Sequence, residues 1–539
     1  MLPQPILPKD PMVDIPSLTA MLARRAELTP DRTAVVFGDA AHTYASLWEA
    51  VRHFAGYLQD RGVMAGDRVL LRLPNSADFF AAYYGVQYLG AVAVPVFHGS
   101  SAARVALLAK LCGARMVVTA KNIAGPERDA VLSDSGLPDL VFGDCEQGRA
   151  FEGAAEPAAV TSEDLAMLQY TSGTTGDSKG VMLTHGNLIA NVRQMIPAAE
   201  FVAEDVFVSW LPVYHDMGLI TMTMCPFYLG AKLVLLPVSP KPFPWFKAIK
   251  EHGGTMTAAP DFGYRFATKF SKGGGAYDLS SLKRALIAAE PVRPKTIERF
   301  ESKFDLPGVL KPGYGLAEAS VAVTFWDMQR GDRVVDGEGH VSAGKAIPGM
   351  EAAVVVDERF AATGEHGEIV MRSPSCTQGY YRNPTATEAL HWRDGWIRTG
   401  DIGYLDENGL LFIVGRSKHI IIKAGRNLAP REIEEIAEDV PGIRLSAALG
   451  ISGEDIQGEQ IHLFIEIEKR SPDAALLTAL SQRVTQAVFD VLGYRPDKVH
   501  LGKNKLIPRT HNGKIQYGKL KQAWLDGSLH RDGLLHVVE

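Results

Sequence analysis

The sequence predicts an α/β protein: a large N-terminal domain of packed, parallel-type sheets with helices, followed by a small α+β C-terminal domain. Three observations lead there. At 539 residues the chain is too long for one hydrophobic core, so two or more domains are expected. Apolar strand-like runs alternate with helical periodicity through the first 120 residues, which implies βαβ units and a mostly parallel sheet. Around residues 170–180 a glycine- and hydroxyl-rich stretch sits between two apolar runs, as strand, loop, strand.

Composition narrows the class. Hydrophobic residues make up 46% and charged residues 22%, ordinary for a soluble globular protein. A net charge of −6 without a long basic run argues against nucleic acid as a partner. Cys112, Cys145, Cys225 and Cys376 are scattered, with neither a CxxC nor a metal spacing, which fits a reducing cytoplasm. The N-terminus lacks a charged-then-apolar signal pattern, and no apolar run approaches ~18 residues, so no membrane span is expected.

Taken in order, residues 1–15 are Pro-rich and read as a poorly ordered arm. Residues 17–25 read as a short helix and 33–37 as a strand. Leu47, Val51, Phe54 and Leu58 recur at helical spacing within 44–61. Strands are expected at 68–72, 91–96 and 115–119, with helices at 78–89 and 104–111 between them. A helix follows His185-Gly-Asn187. The apolar strand 206–211 ends in a loop, Pro212-Val-Tyr-His-Asp-Met-Gly218. Residues 255–264 read as strand and turn, 272–276 as a surface loop, 285–293 as a strand running into a turn, and 367–372 as a strand. Residues 410–416 close the large domain. A helix beginning at Pro430, a strand at 462–467 and a helix at 474–491 suit the small one.

The chemistry centres on Tyr170-Thr-Ser-Gly-Thr-Thr-Gly-Asp-Ser-Lys-Gly180. Glycines let the backbone approach a ligand closely, and successive N–H groups in such a turn make a concave anion site. The hydroxyls add donors, and Lys179 adds a point charge suited to phosphate. A flexible linker has similar composition, but the apolar flanks 165–168 and 181–183 favour a phosphate cradle. It is not a Walker loop, because Gly180 rather than a hydroxyl residue follows the lysine.

Other candidates carry two readings each. His215-Asp216 either closes a turn by a local hydrogen bond or walls an acyl group. Residues 255–264 either wall an apolar pocket or pack a core. Glu318 and Lys514 are ordinary exposed residues unless their glycine-rich contexts mean otherwise. Asp401, between Gly400 and Gly403, reads on its own as a turn aspartate, although a carboxylate can accept two neighbouring hydroxyls at once.

The cradle resembles the phosphate loop of the adenylate-forming superfamily: acyl-CoA synthetases, fatty acyl-AMP ligases, luciferases and peptide-synthetase adenylation domains. Further motifs follow in that family's order over about residues 20–525. Trp210-Leu-Pro-Val-Tyr-His-Asp-Met-Gly-Leu-Ile220, the 258–264 segment and Glu290-Pro-Val-Arg293 look like the fatty acyl-AMP ligase branch. That branch usually carries an insertion, whereas only 25 residues separate Glu318 from Gly344 here.

The resemblance implies a large domain over 1–415, a hinge at 416–418 centred on Lys418, and a mobile small domain over 419–539. It places the ATP phosphates on Thr171, Ser172, Gly173, Thr174, Thr175, Gly176 and Lys179, and Mg²⁺ on Glu318 and Thr171. Adenine and ribose fall to Ala289, Glu290, Pro291, Gly313, Tyr314, Gly315, Asp401 and Arg416. The acyl pocket falls to Tyr214, Met217, Asp261, Phe262, Gly263 and Tyr264, and the thiol channel to Gly425. Lys514, with Glu318 and His215, is assigned the catalytic work. The implied reaction is ATP-dependent conversion of a carboxylic acid, expected to be a fatty acid, to acyl-AMP, then transfer to the phosphopantetheine thiol of an acyl carrier protein. A fatty acyl- or aryl-CoA synthetase using free CoA is the alternative. An inactive nucleotide-binding scaffold is a remote one, set against the intact Lys514, Glu318 and Asp401.

Overall fold

Two β-sheets of the large domain are parallel at heart. In a computed structural model, residues 12, 14–171, 178–239, 241–271, 277–423, 426–452, 459–468, 472–509, 515–530 and 534–538 are described. The nine-stranded sheet runs Lys345–Ala346, Thr324–Phe325, Leu310–Tyr314, Arg284–Ile287, Met256–Ala259, Val206–Ser209, Lys232–Leu235, Thr33–Phe37, Ala40–Thr43. Its strands are parallel from Leu310–Tyr314 to Thr33–Phe37, and antiparallel pairs form its two ends. The six-stranded sheet is also parallel until its last pair, the hairpin Leu165–Thr171 and Lys179–Thr184 that flanks the cradle.

The helix Ala77–Tyr88 lies between these sheets and is buried at every residue from Phe79 to Tyr88. It is apolar all round, as a helix without a wet face must be, and Ser76 caps it by accepting the Phe79 N–H. At Gly85 the neighbouring helix Tyr44–Asp60 comes so near that a Cβ would stand 3.2 Å from the Ala55 nitrogen. Helix His185–Ala198 starts with a reciprocal cap between Thr184 and Asn187. The Asn187 amide then donates to the carbonyls of Pro374 and Cys376, tying the cradle hairpin to the third sheet.

That third sheet is antiparallel throughout: Arg359–Phe360, Glu351–Val356, Gly367–Arg372, Ile397–Leu405, Leu411–Arg416. One face is wet, so charged residues such as Glu368, Arg372 and Arg398 interrupt its apolar positions. The chain leaves through the turn Ser417–His419 for the small domain. There a four-stranded sheet is covered by helices Pro430–Glu438 and Ala474–Leu492 around a separate core.

Three elements differ from the sequence reading. Residues 255–264 are not strand and turn: the strand Met256–Ala259 ends at Pro260, and a helix occupies Asp261–Phe270. The segment after the 206–209 strand is not a plain loop, since a buried π-helix fills Met217–Met224 and continues into helix Cys225–Leu229. The N-terminal arm has an anchor at Met12, which is 1% exposed and whose carbonyl accepts the Tyr228 hydroxyl. The expected loop at 272–276 lies outside the described residues. All four cysteines are free. Among the described residues no helix is long and apolar enough to cross a membrane.

Two buried histidines make the fold acid-sensitive. His185 accepts the Leu18 N–H at 3.2 Å, and burial pushes its pKa down to about 4. His462, in the small-domain sheet, is likewise lowered to about 4 by burial. Unfolded, both titrate near 6.5. As pH falls from about 6.5 to 4 the unfolded chain takes up protons that the native state refuses, so stability is lost across that window. The loss at its lower end is on the order of 3 kcal/mol for His185. Urea unfolding of the protein beside a His185→Asn variant, each at pH 7 and pH 4.5, isolates this contribution from the opposite trend of Glu434, whose carboxyl burial pushes up to about 7, and the same pH dependence in both would contradict the burial argument.

Candidate active site

The carboxyl ends of the parallel strands open onto one continuous cleft of about 3130 Å³, several times the size of a drug-sized pocket. Crevices at that end of a parallel sheet are where α/β proteins bind ligands. Strand Arg284–Ile287 delivers Ala289, Glu290 and Pro291 to the cleft, and Leu310–Tyr314 delivers Gly313, Tyr314 and Gly315. A 3₁₀ turn, Ala317–Ala319, then presents Glu318. Ile397–Leu405 brings Asp401, and the neighbouring Leu411–Arg416 brings Arg416.

Backbone strain gathers here. Ala289 has φ +66° and Ser320 φ +68°, conformations that side-chain-bearing residues seldom adopt and that collect at functional sites. Ser320 is held there by donating its hydroxyl to the Ser375 carbonyl at 2.9 Å. At Gly315 a Cβ would sit 1.7 Å from the Val321 carbonyl oxygen, so only glycine fits.

Two polar groupings face the cleft. In the first, the Asp401 carboxylate accepts the Tyr314 hydroxyl at 2.6 Å and pairs with Arg416 Nε at 2.7 Å. Burial, then the nearby Asp401 charge, pushes the Tyr314 hydroxyl well above its ordinary pKa, so it stays a donor. In the second, the Tyr380 hydroxyl donates to Glu318 at 2.8 Å while Lys179 Nζ lies 4.9 Å from the centre of the Tyr380 ring. Tyr380 thereby links the cradle lysine to the candidate metal carboxylate.

Tyr380 was not legible as a site residue. It reaches the site because the strand Lys179–Thr184 bridges to it through Val181, and the Tyr381 N–H bonds the Gly180 carbonyl. Arg104 is a second omission. Its guanidinium donates to the Ser178 hydroxyl at 2.6 Å, at the edge of the cradle. A signal existed, because a cation in the first turn of helix Ala102–Cys112 opposes the helix dipole.

The apolar wall is supplied by Tyr214, Met217 and Phe262, which line the cleft with Phe97. The Tyr214 and Phe97 rings lie 5.5 Å apart. The His-Asp pair does close its turn locally, with His215 Nδ1 3.1 Å from Asp216, whose carboxylate also accepts the Met217 N–H, and His215 lines the cleft. The wider π-helical turn beginning at Met217 is a form that often marks functional sites.

Three members of the expected acyl pocket are placed differently. Tyr264 is fully buried, packed 5.5 Å from the Trp245 ring and 5.0 Å from Phe300, and it donates to the Leu286 carbonyl. Gly263 sits behind the wall, where a Cβ would meet Trp210 at 2.9 Å. Both follow from the helix that replaces the expected turn, which rotates them into the core. Asp261 does line the cleft, but its carboxylate is taken up by the Arg293 N–H at 3.1 Å and by Arg265 at 2.8 Å.

Lys418 lies in the exposed turn between the sheets and borders the cleft. Ser172, Gly173, Thr174, Thr175, Gly176, Gly425 and Lys514 lie outside the described residues, and of Thr171 only the strand backbone is described.

As a donor set, Glu318 fits Mg²⁺, a hard cation that takes one or two carboxylates together with phosphate oxygens. The Tyr380 hydroxyl donates to one oxygen of its carboxylate at 2.8 Å and so orients it toward the cleft it lines. The strained Ala289 turn, the flat glycine edge at 313–315 and a carboxylate held at Asp401 fit a nucleoside.

Comparison with known proteins agrees with this architecture. The model of the AMP-binding enzyme family matches residues 22–381. The long-chain-fatty-acid–CoA ligase of Bacillus subtilis (strain 168) is 30% identical over 542 residues, covering 93% of each chain. JamA of Moorena producens (strain JHB), a medium-chain-fatty-acid–acyl-carrier-protein ligase, is 30% identical over 539 residues and 90% of each chain. Among solved structures, one from a study of fatty acyl-adenylate ligases from E. coli and L. pneumophila superposes with a TM-score of 0.85 at 27% identity, covering 96% of this chain and 99% of that one. The chain belongs to the AMP-binding enzyme family, the adenylate-forming ligases, and within it is similar to the fatty acid ligases.

Proposed function

We propose that the protein activates a fatty acid with ATP to give acyl-AMP and pyrophosphate, then passes the acyl group to the phosphopantetheine thiol of an acyl carrier protein. The observation that carries this reading is the single cleft joining the polar edge at Glu318, Asp401 and Lys179 to the aromatic and thioether wall at Tyr214, Met217 and Phe262. A nucleotide and an apolar acyl chain can meet there.

A carboxylate is a poor acyl donor, and coupling it to AMP as a mixed anhydride removes that obstacle. The carboxylate oxygen forms a bond to the α-phosphorus while the bond to the β-phosphate oxygen breaks and pyrophosphate departs. Both partners are anions, so positioned cations lower the barrier. Lys179 and the cradle at 171–176 hold the phosphates. Glu318 and Thr171 are the residues for Mg²⁺, which when bound neutralises phosphate charge. Asp401 holds the ribose hydroxyls, and Lys514 stabilises the charge that develops on the phosphoryl group. In the second step the thiol attacks the acyl carbonyl carbon and AMP leaves. The turn at Lys418 serves as the hinge between the two steps, and Gly425 lines the thiol channel.

Free CoA is the second reading. It is favoured by the short connection from Glu318 to Gly344, 25 residues, and by the CoA ligase among the relatives. One experiment separates them: pyrophosphate release across fatty acids of increasing length, followed by thioester formation with CoA or with a phosphopantetheinylated carrier. Thioester on the carrier alone supports the proposal. Efficient CoA thioester replaces it with the second reading, and absence of acid-dependent pyrophosphate release with any chain length overturns both.

A further inference from the structure

Arg104 is a half-buried cation that the described chain leaves largely unanswered. A guanidinium carries five N–H donors in a fixed fork. That of Arg104 makes one described hydrogen bond, to the Ser178 hydroxyl at 2.6 Å, and pairs with no carboxylate among the described residues. Other arginines withdrawn from solvent in the large domain are satisfied. Asp205 takes Arg284 at 2.9 Å, Glu127 takes Arg72 at 2.5 Å, and the carbonyls of Gly66, Cys112 and Gly113 fill the Arg68 fork. Arg104 bears a second cost. It stands in the first turn of helix Ala102–Cys112, where the helix dipole disfavours a positive charge. Withdrawing a charge from water is costly unless an opposite charge or hydrogen bonds replace the water.

Lys179 has the same deficit. It follows Ser178 directly and opens the strand Lys179–Thr184, and its described contact is the face of the Tyr380 ring, 4.9 Å away, which carries no formal charge. Arg104, Ser178 and Lys179 all line the cleft. The strand end that carries them is fixed by its pairing of Thr171 with Lys179 and of Tyr170 with Gly180. Two cations therefore flank one hydroxyl on the cleft wall, and among the described residues neither has a carboxylate partner. A guanidinium fork and an ammonium point charge together suit a group with two negative charges and several oxygen acceptors, which a phosphate is and a single carboxylate is not.

We propose that Arg104 is a phosphate-binding residue: beside Lys179, it takes the terminal phosphates of ATP and holds the pyrophosphate they become. This rests on the reading of the cleft as an ATP site with Lys179 as a phosphate lysine. A phosphate here answers the guanidinium, the ammonium and the cation in the helix's first turn at once. AMP and acyl-AMP have no β- or γ-phosphate, so they gain nothing from Arg104. The residue thus favours the triphosphate over the monophosphate, and it serves the adenylation step alone.

The test uses the full chain with Arg104→Gln, which keeps a donor for Ser178 but loses the charge, and Arg104→Lys, which keeps the charge but loses the fork. Calorimetry with Mg²⁺ present gives affinities for ATP, inorganic pyrophosphate and AMP. Thioester formation from added acyl-AMP is followed with CoA and with a phosphopantetheinylated carrier. Arg104→Gln is expected to weaken ATP and pyrophosphate by roughly 10- to 100-fold, the range for hydrogen bonds to a charged group, with AMP affinity and both thioester reactions unchanged. Arg104→Lys should fall between it and the original protein. Should Arg104→Gln not fold, Arg104→Lys decides, by a loss of affinity for ATP without one for AMP. Unchanged ATP affinity, equal losses for ATP and AMP, or a loss confined to the CoA reaction, which would put a phosphate of CoA in this place, would overturn the proposal. Undiminished ATP affinity in Lys179→Ala would overturn the underlying reading, whereas a weakened Lys179→Ala beside an unaffected Arg104→Gln would overturn only the role of Arg104.

Discussion

Lys514→Ala is expected to slow acid-dependent pyrophosphate release by roughly 10²-fold or more, about 3 kcal/mol of transition-state stabilisation. ATP affinity should change little, because the proposed function assigns the phosphates to Lys179 and the cradle and the nucleoside to the hydrogen-bonded Asp401 and Tyr314 pair. Thioester formation from added acyl-AMP should also survive, since no phosphoryl charge develops in that step. The physical basis is repulsion. Carboxylate and triphosphate are both negative, and a cation brought between them late in the approach helps the transition state more than the ground state. The described chain on either side of the lysine borders the same cleft as Glu318 and Asp401. Single-turnover measurement of adenylate formation with a fatty acid, beside equilibrium ATP binding, reads the two effects separately. A variant that binds ATP normally and adenylates at the original rate would remove Lys514 from the chemistry.

Much of the fold was legible because its signals are local. The helix at 44–61 showed its period in Leu47, Val51, Phe54 and Leu58, all of them buried. The parallel strands were short apolar runs, and so were the two strands Leu165–Thr171 and Lys179–Thr184 on either side of the glycine-rich stretch. What escaped the sequence depends on distant partners. Arg293 was read within a motif phrase near the adenine pocket, yet its guanidinium lies 2.9 Å from Glu438 and 3.4 Å from Glu435, on a helix of the small domain. Arg265 joins Glu438 at 3.1 Å, and Asp261 holds both arginines from below. No periodicity announces contacts separated by 145 residues. The Asp261–Phe270 helix was missed for a different reason: three aromatic residues among its first six look like a pocket wall, while the proline that starts the helix looks like a stop. Tyr264 then turned inward, and a residue expected to touch substrate proved to support the wall.

Gly315→Ala should cause the largest loss of nucleotide binding among the conservative substitutions in this site. The added methyl would stand 1.7 Å from the Val321 carbonyl oxygen and 2.7 Å from its carbon, with the Ala322 Cα at 3.0 Å. These are backbone atoms, so no rotamer change relieves the clash, and the strand end must move. Tyr314 precedes this glycine and Glu318 follows it within one turn, so the ribose-side hydroxyl and the candidate Mg²⁺ carboxylate would shift together. Overpacking of this kind typically costs about 1–3 kcal/mol, and 3 kcal/mol corresponds to roughly 10²-fold in affinity. Gly331→Ala is the matching control, because a Cβ there meets nothing within 4 Å. Thermal shift with and without ATP reads both terms, since a ligand that binds only the native state raises its stability. Gly331→Ala should keep the ATP-induced shift, and Gly315→Ala should lose it. If Gly315→Ala retained the full shift, the glycine edge at 313–315 could not be the surface against which the nucleotide packs.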